Sequence, residues 1–272
     1  AAPSATMVYT VTATDSTGCS AFASTTVTVN LLPNLSATPL NSVLCFGDSV
    51  LITANGADTY TWSPLSDLNF ISVNAAWASP DSTTAYIIVG TDSTGCFSTV
   101  NVLVNVLPQV KVSVSSPDTE LCSGENTTLI ASGALNYTWT PASGLSATTG
   151  ANVTASPTSS TTYYVTGVDA NGCAASDSII VIVHPPVIVG VLPVNPTICM
   201  GSTVQLTASG ATNYSWSPSD GLNQTTGATV LASPTATTTY IITGSDSFGC
   251  VGFNAVIVSI GTSFSLFFNL PF

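Results

Sequence analysis

Positive charge is almost missing from this chain. Lys111 is the one lysine or arginine, beside a single histidine and thirteen carboxylates, for a formal net charge of −12 over 272 residues. A chain with no basic patch cannot neutralise phosphates, which excludes nucleic acid as a partner. The same lack disfavours adhesion to an anionic membrane surface. Long apolar runs are missing too. No stretch reaches the ~18 residues that a membrane-spanning helix needs, so no membrane span is expected, and no basic-plus-apolar signal peptide opens the chain. Nor do apolar residues recur at helical spacing over three turns, so helix content is expected to be close to nil.

Catalytic and metal-binding signatures are equally scarce. No cysteine or second histidine lies at zinc-ligand spacing, and His184 reads as alone in a linker. Serine is abundant, yet there is no Gly-x-Ser-x-Gly and no usable histidine for a triad. Asp118 and Glu120 are close in sequence, but no basic or nucleophilic companion is visible beside them. Neither an enzyme nor a cofactor is expected.

What the chain does contain is repetition. Cys45, Trp62 and Cys96 are separated by sixteen and thirty-three residues, and Cys122, Trp139, Cys173 and Cys199, Trp216, Cys250 keep the same spacing. Successive copies are offset by 77 positions, and Tyr86, Tyr163 and Tyr240 fall in the same register. Gapless self-similarity of this length marks a tandem array. The expected organisation is a C-terminal half repeat at 1–31, full repeats at 32–108, 109–185 and 186–262, and an apolar tail at 263–272. Ala1 aligns with Ala78, so the chain opens inside a repeat and reads as a piece of something longer.

Within a repeat the apolar residues alternate with period two. Val50 and Ile52, Tyr60 and Trp62, and Val100 to Val106 by twos each share a face, with Thr, Ser and Asn between them. That is the pattern of half-buried strands. Asn55-Gly56, Ser132-Gly133 and Ser209-Gly210 are turn pairs, because glycine accepts positive φ. Pro64, Pro141 and Pro218 stop the tryptophan strand, since proline cannot donate to a ladder. Asp-x-x-Gly-Cys, at Asp92 to Cys96 and its copies, reads as a hairpin whose aspartate caps the turn. About seven short strands around a core tryptophan predict an all-β fold: tandem Ig-like β-sandwiches in a linear array. Short proline linkers, such as His184-Pro185-Pro186, stiffen the joints.

Cys-x-Gly before a strand, Tyr-x-Trp-x-Pro, Gly-Leu (Gly144-Leu145, Gly221-Leu222), Thr-Thr-x-Tyr and Asp-x-x-Gly-Cys together resemble a known family. They are similar to the PKD-like and Ig-like repeats of large secreted surface proteins in Bacteroidetes, including gliding-motility adhesins. The resemblance covers the chain up to its last ten residues. It implies an extracellular β-sandwich, export by the type 9 secretion route, and a structural or adhesive role. Repeat 1 departs from the pattern by carrying Asp67 where the family has Gly. The family also implies O-glycosylation of Asp-Ser/Thr before a methyl-bearing residue, which Ser49, Ser93 and Ser178 match.

A cysteine pair per repeat in an exported protein argues for disulfides over metal or catalysis. The simplest pairing lies within repeats, Cys45–Cys96, Cys122–Cys173 and Cys199–Cys250, and leaves Cys19 unpaired. Standard immunoglobulin topology puts those two positions at opposite poles, so a bridge between neighbours, such as Cys45 to Cys173, is the alternative. Trp62, Trp139 and Trp216 are expected in the core rather than as a sugar platform, with Tyr86, Tyr163 and Tyr240 beside them. The functional expectation is a structural rod, filament or adhesin stalk that assembles end to end with further copies. A carbohydrate-binding surface module, with surface glycans as partners, is the alternative.

The tail carries one more expectation. Phe264, Leu266, Phe268, Leu270 and Phe272 share one parity, so a strand there has an unbroken apolar face. By the 77-residue offset Phe264, Leu266 and Phe268 align with Val187, Val189 and Val191, so the tail reads either as the first strand of a further repeat or as a strand that adds to the sheet of another chain, with the half repeat 1–31 as one acceptor to consider.

Overall fold

The computed structural model describes residues 2–261. All its regular elements are strands, because every apolar pattern in the sequence has period two. Residues Met7–Thr14 (β1) and Ser20–Val27 (β2) form a two-stranded hairpin, paired from Met7↔Val27 to Thr14↔Ser20. Both of its faces are open, with Val8, Val11 and Phe22 exposed.

Repeat 1 has eight strands: β3 (Ser36–Thr38), β4 (Asn41–Leu44), β5 (Val50–Asn55), β6 (Thr59–Ser63), β7 (Leu68–Ser72), β8 (Ala75–Ala78), β9 (Thr84–Thr91) and β10 (Phe97–Val106). They form two sheets, ordered β3-β5-β8-β7 and β4-β10-β9-β6. Repeat 2 has seven: β11 (Ser113–Ser115), β12 (Glu120–Cys122), β13 (Thr127–Ser132), β14 (Asn136–Thr140), β15 (Asn152–Ala155), β16 (Thr161–Val168) and β17 (Ala174–His184). Repeat 3 copies it with β18 (Gly190–Leu192), β19 (Thr197–Cys199), β20 (Val204–Ser209), β21 (Asn213–Ser217), β22 (Thr229–Ala232), β23 (Thr238–Ser245) and β24 (Val251–Gly261). Their sheets run β11-β13-β15 and β12-β17-β16-β14, then β18-β20-β22 and β19-β24-β23-β21. The odd strand of repeat 1 is β7.

Each sandwich buries the inward residues of both sheets around one tryptophan and one tyrosine. Trp139 and Trp216 are 1% and 3% exposed, Trp62 is 6%, and Tyr86, Tyr163 and Tyr240 are fully covered. Trp77, which has no aromatic counterpart in the other repeats, is exposed.

By contacts the chain divides into two compact units, 1–110 and 111–272. Repeats 2 and 3 belong to the second.

Candidate functional site: hairpin caps, tryptophan strands and the joint between repeats

The Asp-x-x-Gly-Cys segments are hairpin loops, and their chemistry is local. Asp92 Oδ1 accepts hydrogen bonds from the Thr94 N–H, the Thr94 hydroxyl and the Cys96 N–H at 2.8, 2.8 and 3.0 Å. Gly95 takes φ 85° to close the turn. Asp15, Asp169 and Asp246 repeat the cap on Cys19, Cys173 and Cys250. The hydroxyl of Thr94 holds the Asp92 carboxyl below its usual range, and Thr17 does the same for Asp15. At Asp169 burial pushes upward, but the N–H groups of Cys173 and Asn171 outweigh it and the value is again lowered. An aspartate whose Oδ1 is taken by the N–H and hydroxyl groups of its own turn acts as a cap. Among the described residues no cluster of three His, Cys, Asp or Glu could hold a metal ion.

A second local device escaped the sequence pattern. Tyr60, Tyr137 and Tyr214 each turn their hydroxyl onto the preceding turn, donating to the carbonyl and accepting from the N–H of Ala57, Ala134 or Ala211. The Tyr-x-Trp pair therefore pins the turn with one side chain and fills the core with the other. Spacing alone marks both as inward, so the clamp was not visible in it.

The tryptophans differ between repeats. In repeats 2 and 3 the chain after Pro141 or Pro218 folds back along the edge of the tryptophan strand. There the Trp139 N–H donates to Thr148 O and its indole Nε1–H to Gly150 O, at 2.8 and 2.9 Å. Trp216 makes the same bonds to Thr225 and Gly227. Tyr163 and Tyr240 donate to the Ser143 and Asp220 carbonyls of the same segment. In repeat 1 that segment is β7, paired instead with β8. Trp62 Nε1 and Tyr86 Oη are left with no partner among the described residues.

The cysteines require a correction. Cys122 is bonded to Cys250, so the within-repeat pairs Cys122–Cys173 and Cys199–Cys250 do not form. Cys45 and Cys173 are disulfide-bonded as well, whereas Cys96, Cys199 and Cys19 are free thiols, which also removes Cys45–Cys96. The reason is the parallel pairing of β12 with β17. It sets Cys122 opposite His184, the last residue of an eleven-residue strand that begins just after Cys173. At roughly 3.3 Å per residue the two cysteines stand about 35 Å apart. A disulfide spans no more than about 7 Å between Cα atoms. Opposite poles cannot be bridged. Non-reducing peptide mapping is expected to recover Cys122 joined to Cys250, with Cys199 alkylated by a thiol reagent without prior reduction; a Cys199–Cys250 peptide would contradict this.

The bond joins the far pole of repeat 2 to the hairpin of repeat 3. His184 is not alone there. Its ring stacks on Phe248 of that hairpin with centroids 3.7 Å apart, and its Nε2 lies 3.1 Å from Glu120 Oε2. Glu120 thus does have a companion, one that sequence distance concealed. Phe248 stands where the other hairpins carry Thr17, Thr94 and Asn171. One disulfide and one ring stack lock this joint.

Residues 108–185 match the family model described as an Ig-like domain, CHU_C associated. With the sandwiches on either side of that segment built alike, the architecture is decided. The chain is a tandem array of Ig-like domains. Solved structures similar to the array include the N-terminal eight Ig domains of the Down Syndrome Cell Adhesion Molecule, 14% identical over 94% of this chain and 40% of that one, with a TM-score of 0.47. A Ca²⁺-stabilised adhesin of an Antarctic bacterium is 12% identical over 94% of this chain and 82% of that one, with a TM-score of 0.32. The array spans less than half the length of the first of these. No curated protein matches the chain.

Residues 263–272, with the five apolar positions of the tail, lie outside the described residues. No helix among the described residues is long and apolar enough to cross a membrane.

Proposed function

We propose that this array is an extracellular structural element, a rod in a filament or adhesin stalk on a bacterial surface, whose chains join end to end. The observation that supports this reading is where the Cys122–Cys250 cross-link falls. A small sandwich that needed help to stay folded would staple its own two sheets. Here the staple binds one repeat to the next, where it resists bending and separation of the repeats. The His184–Phe248 stack acts at the same joint. Disulfides of this kind persist in oxidising surroundings, in keeping with a secreted or surface protein.

Nearly uncharged outer faces suit close packing or a glycan coat, and Ser49, Ser93 and Ser178 are exposed as O-glycosylation would require. A carbohydrate-recognition role is less well supported, because Trp62, Trp139 and Trp216 are turned into the cores and the exposed Trp77 does not recur in the other repeats. In the end-to-end reading, residues 263–272 serve as a donor strand for the next chain.

Small-angle scattering tests the rod. The oxidised chain is expected to scatter as an elongated particle, and reduction to broaden its interdomain distances without unfolding the sandwiches. A compact globule, or a profile indifferent to reduction, would count against the reading.

A further inference from the structure

Repeat 1 lacks a piece that its sisters supply to themselves. In repeats 2 and 3 the segment that covers the tryptophan edge turns on Gly150 and Gly227, at φ 107° and 97°. Repeat 1 has Val73 at that position. A β-branched residue is sterically barred from such a φ, so the fold-back cannot form. The sequence between, Leu68-Asn69-Phe70-Ile71-Ser72, is rich in strand formers and pairs with β8 instead. The start of the segment keeps its contacts: Leu68↔Ala78 corresponds to the bridges Leu145↔Ala155 and Leu222↔Ala232, and the Ser79 N–H donates to Asp67 O as Ser156 does to Gly144 and Ser233 to Gly221.

Two gaps follow from the altered segment, which differs from 142–150 at seven of its nine positions. The edge of β6 keeps no neighbour among the described residues, whereas Thr138↔Thr149 and Ser215↔Thr226 bridge the equivalent edges. Beside it opens a groove of 560 Å³ lined by Tyr60, Trp62, Leu65, Phe70, Ile71 and Val73. Trp62 is 6% exposed, and its indole N–H has no acceptor among the described residues. An unpaired strand edge, an apolar groove and, on a residue that lines it, a buried donor without an acceptor among the described residues define the chemistry of the missing occupant. It must be extended, apolar on one face, and present a backbone carbonyl to Trp62.

We propose that the β6 edge of repeat 1 accepts residues Ser263–Phe272 of a second copy as an added strand. The proposal rests on the end-to-end reading above, and it moves the acceptor from the half repeat 1–31 to this groove. The segment fits each requirement. It carries no charge, and Phe264, Leu266 and Phe268 put apolar side chains on one face at the strand period. Ten residues exceed the five of β6, enough to pair along its whole edge. Thr61 and Ser72 also line the groove, but the Ser72 hydroxyl is engaged by Asn74 and that of Tyr60 by Ala57, which leaves few polar groups with which to hold a sugar.

The test is a chain that caps itself. Replacing residues 65–73 by Ala-Ser-Gly-Leu-Ser-Ala-Thr-Thr-Gly, the sequence of 142–150, fills the groove from within. A labelled peptide of residues 263–272, flanked by lysines for solubility, is titrated by fluorescence anisotropy against the original and self-capped full chains. Binding is expected to fall at least ~10-fold on capping, and the capped chain is expected to lose end-to-end assembly. Trp62→Phe, which removes only the indole donor, provides a second variant and is expected to weaken the peptide ~5-fold. Equal binding to original and capped chains, or a scrambled peptide binding as well, would overturn the proposal. Deleting 263–272 separates it from the reading beneath: assembly lost on deletion but kept on capping leaves strand donation standing and rejects this acceptor. Assembly that survives the deletion rejects both.

Discussion

Gly133→Ala is expected to destabilise repeat 2 by about 3–5 kcal/mol, combining left-handed strain with overpacking against backbone. Gly133 sits at φ 96° in the turn after β13, and a Cβ there would collide with the Lys111 carbonyl. The first segment of the repeat runs directly over the turn, so the collision cannot be relieved by a rotamer change. Gly56 and Gly210 meet the carbonyls of Asn34 and Ile188 in the same way. Gly124 provides the control. Its φ is 92°, yet a Cβ would meet nothing within 4 Å, so Gly124→Ala carries only the ~1–2 kcal/mol of conformational strain. Hydrogen exchange of the β13 and β16 amides in the full chain reads both. Equal losses at the two positions would show that backbone approach is not what the turn glycine is for.

These turn glycines illustrate what was legible in the sequence. Ser-Gly between two alternating runs identifies a turn, and the 77-residue register identifies it three times. The identity of the segment passing over it, Lys111-Val112, depends on a contact across the first turn of the fold that no local pattern encodes. The same division holds for the cysteines. Their spacing revealed the repeat, but spacing along a chain does not say which pole of a sandwich a residue occupies. That follows from the parallel pairing Cys122↔His184, a feature of sheet order. His184 seemed isolated for a related reason: Glu120 is 64 residues away in sequence and Phe248 belongs to the next repeat.

Repeat 1 shows how a glycine position outruns pattern reading. In the 77-residue register Val73 merely replaces a glycine, inside an equal-length segment. The backbone angle needed at that position, visible only in Gly150 and Gly227, turns the replacement into a different strand pairing. By contrast Asp67 keeps the left-handed conformation of Gly144 and Gly221, with φ 62°, so the departure from glycine that stands out in the sequence changes little.

Trp139→Ala is expected to cost repeat 2 about 3–5 kcal/mol, the usual range for removing a buried aromatic core side chain. A domain of 77 residues has a total stability of roughly 4–12 kcal/mol, so the variant lies near or beyond the unfolding threshold of its repeat. Conversion to phenylalanine resolves the contribution of the indole nitrogen. Trp139→Phe and Trp216→Phe each leave a glycine carbonyl without its donor, for about 1 kcal/mol beyond the loss of ring volume. Trp62→Phe removes a donor that has no acceptor among the described residues, so that extra cost vanishes and the buried polar penalty is relieved. Repeat-resolved hydrogen exchange on the three variants should rank Trp62→Phe the mildest, measured on chain kept too dilute to assemble. Equal costs in all three repeats would mean that Trp62 has found an acceptor within its own chain, and that the groove beside it is already filled.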